Sequence, residues 1–241
     1  MTGAELKKAR LETARTQAQL AQQLGVTQAY LSLMESGKRP VPDRLQRRVA
    51  SVLHLPPTAL PMAFAGDLEL GSAEATVELG LARLGYPGLA YRRTRGKLRN
   101  PGDLLVLALA QDDLDPRLAE ALPWLLLSFE GFNSDELHEL ARSLDLQNRL
   151  GFTVSLARGV AERDPTLVGR MEELRKLEQR LERSRLARED TYAQESLSER
   201  MRQWLRGSRS PEAMHWNLLT DLKLEHLPYA THQGTVAELP S

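Results

Sequence analysis

The chain has 241 residues, and its 32 Lys and Arg balance 32 Asp and Glu. With 41% hydrophobic and 27% charged residues, the composition is typical of a globular protein and excludes a disordered or membrane-spanning one. The absence of Cys excludes disulfides, thiol catalysis and cysteine-ligated metal centres. Because neither a signal-peptide core nor a spanning apolar run occurs, we expect a cytoplasmic protein without a membrane partner.

The aliphatic residues and the charge distribution add two expectations. Ile is absent and 46 Leu stand against ten Val, so strand formers are scarce and an all-α fold is predicted. Residues 1–61 hold nine Lys and Arg against four Asp and Glu, a net charge of +5, which leaves 23 against 28, or −5, for the rest. A basic N-terminal domain on an acidic remainder indicates that this domain binds a polyanion.

Residues 1–61, called the head below, are predicted to form a domain of five short helices. Thr16 and Thr27 have the chemistry of N-cap residues, and Gly25 can adopt the left-handed conformation that ends a helix. Pairs of prolines follow the third and fourth helices and prevent their continuation. The predicted spans are 4–11, 17–24, 28–35, 43–53 and 57–60.

Residues 62–99 are interpreted as a connecting segment with one short helix, from Ala73 to about Leu84. The segment ends in a basic run from Tyr91 to Arg99, which has five cations and no acid. Such a run is typical of a solvated loop, although it could also hold phosphate. Both interpretations remain open on the sequence.

Residues 100–223, called the body below, are predicted to form a larger helical domain, either a bundle or stacked helical pairs. Its helix starts are marked by cap residues followed by proline or acid, as in Asn100-Pro101. The apolar stretch Leu122–Leu127 is expected at its centre, and residues 224–241 are expected to form an irregular tail. The predicted spans are 101–111, 116–129, 134–144, 146–163, 165–189, 195–206 and 211–223.

Two details of the body concern contacts between side chains. Leu167, Leu174 and Leu181 recur every seven residues, which indicates either a helix pair within the chain or a dimer contact. Asp145 and Arg149 stand four residues apart, and we interpret them as an ion pair that supports a helix.

The head carries several motifs in a fixed order. They are Ala9-Arg10, Thr16-Gln17-Ala18-Gln19-Leu20-Ala21, Leu24-Gly25-Val26-Thr27-Gln28, Tyr30-Leu31 and Glu35-Ser36-Gly37-Lys38-Arg39-Pro40. In these motifs and their spacing, residues 4–60 resemble the helix-turn-helix domain of the Cro and lambda-repressor (Xre-type) family. The resemblance covers about a quarter of the chain and implies a five-helix DNA-binding head.

The helix predicted over 28–35 is the expected DNA-reading element, because the major groove admits one helix with its N-terminal residues at the base edges. The amide of Gln28 can form a bidentate pair with adenine. The resemblance implies that Gln17 bonds both a phosphate and Gln28, and that Arg10 pairs with Glu35 inside the domain. The predicted DNA-binding residues are Gln17, Thr27, Gln28, Ala29, Ser32, Lys38 and Arg39.

Individual roles within this set follow from side-chain chemistry. Ala29 can contact a thymine methyl group, and Ser32 can bond a base or a phosphate. Lys38 and Arg39 are expected to hold phosphate, which fixes register without reading sequence. Leu33 departs from the polar residue common in relatives, and we expect it either to pack on a thymine methyl group or to belong to the domain surface.

No catalytic or metal-binding site and no cofactor are predicted, because the five His show no paired metal spacing and no phosphate-binding glycine loop occurs. The predicted function is therefore a non-enzymatic, sequence-specific transcriptional regulator. It is expected to bind double-stranded DNA as a homodimeric repressor on a pseudo-palindromic operator, and its body can also receive a regulatory protein. The alternative is an antitoxin-like protein whose body binds a partner protein while the head autoregulates its operon.

Overall fold

The computed structural model describes residues 1–62, 73–92 and 98–230, and the chain divides into two compact units, Met1–Met62 and Ala63–Ser241. Helices dominate both units, which confirms the predicted all-α fold. Strand in the described part of the chain is limited to two strands of two residues each. The centre of the basic run, residues 93–97, and residues 231–241 of the expected tail lie outside the described residues.

The head contains four α-helices followed by one 3-10 turn. The helices are α1 (Gly3–Glu12), α2 (Gln17–Leu24), α3 (Gln28–Glu35) and α4 (Asp43–Val52), and the turn is Pro57–Ala59. Their bounds agree with the predicted spans to within about one residue. The sequence therefore located these elements correctly.

The predicted caps fix the boundaries of α2 and α3. The Thr16 side chain accepts a hydrogen bond from the backbone N–H of Gln19 at 3.2 Å, and the Gln19 side chain accepts one from the Thr16 N–H at 2.9 Å. Thr27 accepts from the N–H of Tyr30 at 3.2 Å, and Gly25 ends α2 with φ of 66°. These local bonds satisfy groups that a helix start leaves unpaired.

An apolar core joins the four helices of the head. The leucines of α1, α2 and α3 meet side chains of α4 in one cluster, which also receives partly buried Val26 and Leu45. The fully or nearly fully buried members are Leu6, Ala9, Leu20, Ala21, Leu24, Leu31, Met34, Val41, Val49 and Leu53. The head thus has a hydrophobic core of its own.

In the described part of the second unit, α5 (Ala73–Arg83) and a 3-10 turn at Pro87–Leu89 precede the body. The body has a 3-10 turn at Pro165–Leu167 between α9 and α10. As predicted, Leu122 and Leu125–Leu127 are buried. The α-helices of the body are α6 (Pro101–Leu109), α7 (Pro116–Ser128), α8 (Ser134–Ser143), α9 (Gln147–Arg163), α10 (Val168–Glu182), α11 (Glu199–Ser208) and α12 (Pro211–His215).

The heptad leucines are used inside the chain. Leu167, Leu174 and Leu181 are buried, and α10 packs along α9, the most extensive helix contact in the described residues. The seam is therefore a helix pair within one chain. The sequence had left this interpretation and a dimer contact open.

The prediction of one helix over 165–189 is wrong at both ends. Residues 165–167 form the 3-10 turn, and α10 ends at Glu182. The physical reason is Asn148 on α9, whose side-chain oxygen accepts from the Leu186 N–H at 2.8 Å and whose amide donates to the Leu186 carbonyl at 2.9 Å. This side chain replaces the backbone bonds that a continued helix would give Leu186.

The prediction of a helix over 211–223 is also wrong, because α12 ends at His215. Trp216 is fully buried and donates from Nε1 to Ser155 Oγ on α9 at 2.7 Å, and Asn217 has φ of 53°. The chain then forms strand β2 (Leu218–Leu219), which pairs in parallel with β1 (Asp190–Thr191). Burial of the indole directs the chain away from the helix axis.

Arg149 makes a different contact from the one predicted. Its guanidinium donates to both carboxylate oxygens of Asp190 at 3.0 and 2.9 Å, to Glu195 at 2.6 Å and to the carbonyl of Leu109 at 2.9 Å. Asp145 lies before α9 with φ of 59°, so the helical spacing needed for an Asp145–Arg149 pair does not exist. Glu195 is held by this contact, and α11 begins at Glu199 instead of at residue 195.

The first residues of the expected tail pack on the body. Residues 224–226 form a 3-10 turn, and Leu227 is 1% exposed. The Tyr229 hydroxyl donates to the Glu120 carbonyl on α7 at 2.7 Å. This part of the predicted tail is therefore ordered by tertiary contacts.

Candidate nucleic-acid interface

The predicted DNA-reading surface is the exposed face of α3. Gln28, Ala29 and Ser32 are all exposed there, and Thr27 at the N-cap is exposed as well. Residues three and four positions apart lie on the same side of a helix. The structure therefore brings the predicted base-reading side chains onto one solvent-facing surface at the N-terminal half of α3.

Behind this surface lies a buried ion pair between α1 and α3. Arg10 donates from Nε to Glu35 Oε1 at 2.6 Å and from Nη2 to Glu35 Oε2 at 3.0 Å, so the Arg10–Glu35 pair that the resemblance implied is present. Both side chains are less than one-tenth exposed. Burial would raise the pKa of Glu35, but the hydrogen bonds from Arg10 and Gln17 outweigh it and lower that pKa. Glu35 is thus held as a carboxylate.

Gln17 is held by the same carboxylate. Its amide nitrogen donates to Glu35 Oε2 at 2.8 Å, whereas the resemblance implied a bond with Gln28. Gln17 opens α2 and is half-buried, so its side chain lies between the ion pair and solvent. The contact uses one N–H of the amide, and it leaves the second N–H to donate and the amide oxygen to accept.

The loop after α3 presents the two predicted phosphate-binding cations. Gly37 has φ of 72°, and the Arg39 backbone N–H returns to the Leu33 carbonyl at 3.1 Å. Lys38 and Arg39 are exposed, and the Arg39 guanidinium carbon lies 5.8 Å from the centre of the Tyr30 ring. This distance suits a cation–π contact, which orients Arg39 beside α3.

Leu33 and the arginines of α4 complete the surroundings of this surface. Leu33 on α3 is 37% exposed, so it is part of the domain surface. Arg48 donates from Nη2 to the Gln23 carbonyl at 3.0 Å and therefore lies against the turn between α2 and α3. The spacing of arginines in α4 was the signal in the sequence that could have identified this second basic surface.

The body offers different chemistry from that of the head. In the parts of the chain that the structure describes, no group of three or more His, Asp or Glu side chains is placed to hold a metal ion. A cleft of about 190 Å³ lies beside α7, with Glu120, Gln194, Asp221 and His226 among its lining residues. None of the described helices combines the length and the apolar character that crossing a membrane requires.

Residues 2–61 match the sequence profile of a family described as a helix-turn-helix domain. The match covers the head and confirms the resemblance found in the sequence, and it supports a DNA-binding regulator. Neither the curated proteins nor the solved structures contain a significant match to the chain. The match therefore concerns the head alone.

Proposed function

We propose that this protein is a sequence-specific transcriptional repressor that binds a pseudo-palindromic operator as a homodimer. The observation that carries the proposal is the exposed set of Gln28, Ala29 and Ser32 on α3 within a helix-turn-helix domain. We place the protein in the cytoplasm and assign it no enzymatic activity.

The proposed reading mechanism uses the two ends of α3. Its N-terminal half enters a major groove about 12 Å wide, where Gln28 pairs with adenine and Ala29 contacts a thymine methyl group. Gln17 and Thr27 bind the DNA backbone at the starts of α2 and α3, since main-chain and side-chain donors at a helix start suit phosphate. Lys38 and Arg39 bind phosphate beyond the other end and fix the register.

The homodimer follows from the affinity that one head can provide. A single small module buries limited DNA surface, and two heads on half-sites spaced by roughly 34 Å bind far more tightly. Joining two heads through their bodies raises the effective concentration of the second head to about the millimolar range. The body is thus the proposed dimerisation element, and a regulatory protein bound there would change operator affinity.

Two variants test the base-reading assignment. Gln28→Ala should cost roughly 1 to 3 kcal/mol on the selected site and relax the preference at one base pair. Arg39→Ala should weaken binding to all sequences alike and lower the salt slope by about one. The measurement is a selection from random duplexes with full-length protein. Identical preferences for Gln28→Ala and wild type would contradict the assignment.

Sedimentation of free and DNA-bound protein tests the homodimer. Two chains per selected duplex are expected, with the two half-sites related by a dyad. A protein that remains a monomer on its best duplex would contradict the dimer but leave the DNA-reading role of the head in place.

One observation favours the alternative antitoxin-like function. Met201 and Trp204 on α11 are 44% and 56% exposed, and large apolar side chains on a surface favour protein contacts. A pull-down from the native host, with and without nuclease, separates the functions. A stoichiometric protein that stays bound after nuclease treatment supports the antitoxin-like function, whereas recovery of DNA and a second copy alone supports the repressor.

A further inference from the structure

Three arginines form one exposed strip on α4. Arg44, Arg47 and Arg48 are spaced by three and four residues, which places them on one side of the helix. All three are exposed, and within the described residues none has an ion pair. The nearest acid in sequence, Asp43, accepts a hydrogen bond from Gln46 instead. We call these three residues the α4 strip.

The α4 strip contacts the segment that precedes α3 and follows, along the chain, the loop after α3. At the N-terminal end of α3, Arg48 bonds the Gln23 carbonyl, and its guanidinium would lie 3.5 Å from a Cβ placed on Gly25 in the turn. At the other end, Arg44 follows Arg39 by five residues, through a short connection containing two prolines. The strip therefore starts shortly after this loop along the chain, and its Arg48 side chain reaches the turn that precedes α3.

The positive charge of the α4 strip indicates which kind of ligand it binds. Three guanidinium groups on one face repel each other, and each is a planar donor suited to bidentate bonds with phosphate oxygens. The head carries a net charge of +5 and its exposed helix α3 is the proposed DNA reader. The polyanion that this surface fits is the sugar-phosphate backbone that borders the groove occupied by α3.

We infer that the α4 strip binds the DNA backbone and adds phosphate contacts to those of Gln17, Lys38 and Arg39. The inference rests on the proposed function, since it takes α3 as the helix in the groove. These contacts carry no sequence information, because every base pair presents the same phosphates. Their effect is on affinity and on its dependence on salt.

The experiment uses full-length protein with Arg44→Gln and Arg47→Gln, whose side chains make no hydrogen bond within the described head. Arg48 is left intact because its bond to Gln23 joins α4 to α2. Lys8→Gln on α1 is the matched control, since it makes the same change in charge at an exposed residue. Unchanged thermal unfolding midpoints establish that all variants are folded.

Binding is measured by fluorescence anisotropy between about 50 and 200 mM salt, the range in which phosphate contacts strongly affect affinity. Each variant is measured on the selected duplex and on an unrelated one. Removing one arginine that binds a phosphate should lower the slope of log K against log salt by about 0.9. The ratio of Kd at the higher salt to Kd at the lower salt should then fall about 3.5-fold for each such arginine. The same decrease is expected on both duplexes.

Three results would overturn the inference. The first is a slope change no larger than that of Lys8→Gln, which would show a general charge effect. The second is tighter DNA binding by Arg44→Gln or Arg47→Gln, which would show that the strip contacts an acidic protein surface that competes with DNA. The third is a wild-type protein that binds no DNA. If the wild-type protein binds DNA without sequence preference, the proposed repressor function is contradicted but the inference about the strip is not. The salt slopes of the variants still test whether the strip binds phosphate.

Discussion

The head and the body are both helical, but they differ in the polar side chains that they bury and in what those side chains bind. The head buries an apolar cluster and one ion pair, Arg10–Glu35, between two of its helices. In the body, 13 of the 17 residues of α9 are buried, and two of its polar residues bind segments that are not helical, Arg149 at Asp190 and Asn148 at Leu186. Local sequence signals therefore describe the head well, whereas the body depends on contacts between distant parts of the chain.

The largest effect is expected from removing Arg149. Arg149→Met leaves the half-buried Asp190 carboxylate without its partner, which should destabilise the body by about 3 to 5 kcal/mol. Urea unfolding followed by tryptophan fluorescence reports this change, because all three Trp lie in the body. The control is Arg142→Met, since Arg142 is exposed and, among the described residues, forms its ion pair with exposed Glu139. Equal urea midpoints for the two variants would contradict the central role of Arg149.

A smaller effect is expected in the head from Glu35→Gln, about 2 kcal/mol, because hydrogen bonds to a charged group weaken. The pKa of Glu35 is lowered from its ordinary value of 4.5. The carboxylate therefore contributes stability above pH 4.5 that is lost as pH falls through the lower pKa of the folded state. Amide hydrogen exchange in α3 should show this acid loss in wild type and a weaker pH dependence in Glu35→Gln. Matching pH profiles for wild type and Glu35→Gln would show that the Glu35 carboxylate does not supply this pH-dependent stability.

The smallest effect is expected at Gly169, in a comparison of two glycines of the body. A Cβ on Gly151 would lie 2.4 Å from the Trp216 ring, so Gly151→Ala should destabilise by about 1 to 3 kcal/mol. Gly169 in α10 has open space around it, and Gly169→Ala should stabilise by about 0.5 to 1 kcal/mol. Urea midpoints measure both. A neutral or stabilising Gly151→Ala would mean that the close approach of α9 to Trp216 does not limit this position.

The sequence by itself determined the helical class and the elements of the head. Abundant Leu without Ile favours helices, and the side-chain caps that start α2 and α3 join residues only three positions apart, as between Thr16 and Gln19. Such signals act over one helical turn and can be read along the chain. The same signals placed the starts of α6, α7 and α8 in the body.

Only the tertiary structure decided where α10 and α12 end and which groups Arg149 and Gln17 bind. The bonds responsible join distant residues: Asn148 and Leu186 are 38 positions apart, Arg149 and Asp190 are 41, and Gln17 and Glu35 are 18. A polar residue buried in a helix must find a partner wherever the fold brings one. Periodicity shows that such a residue exists, but the partner is chosen by packing in three dimensions.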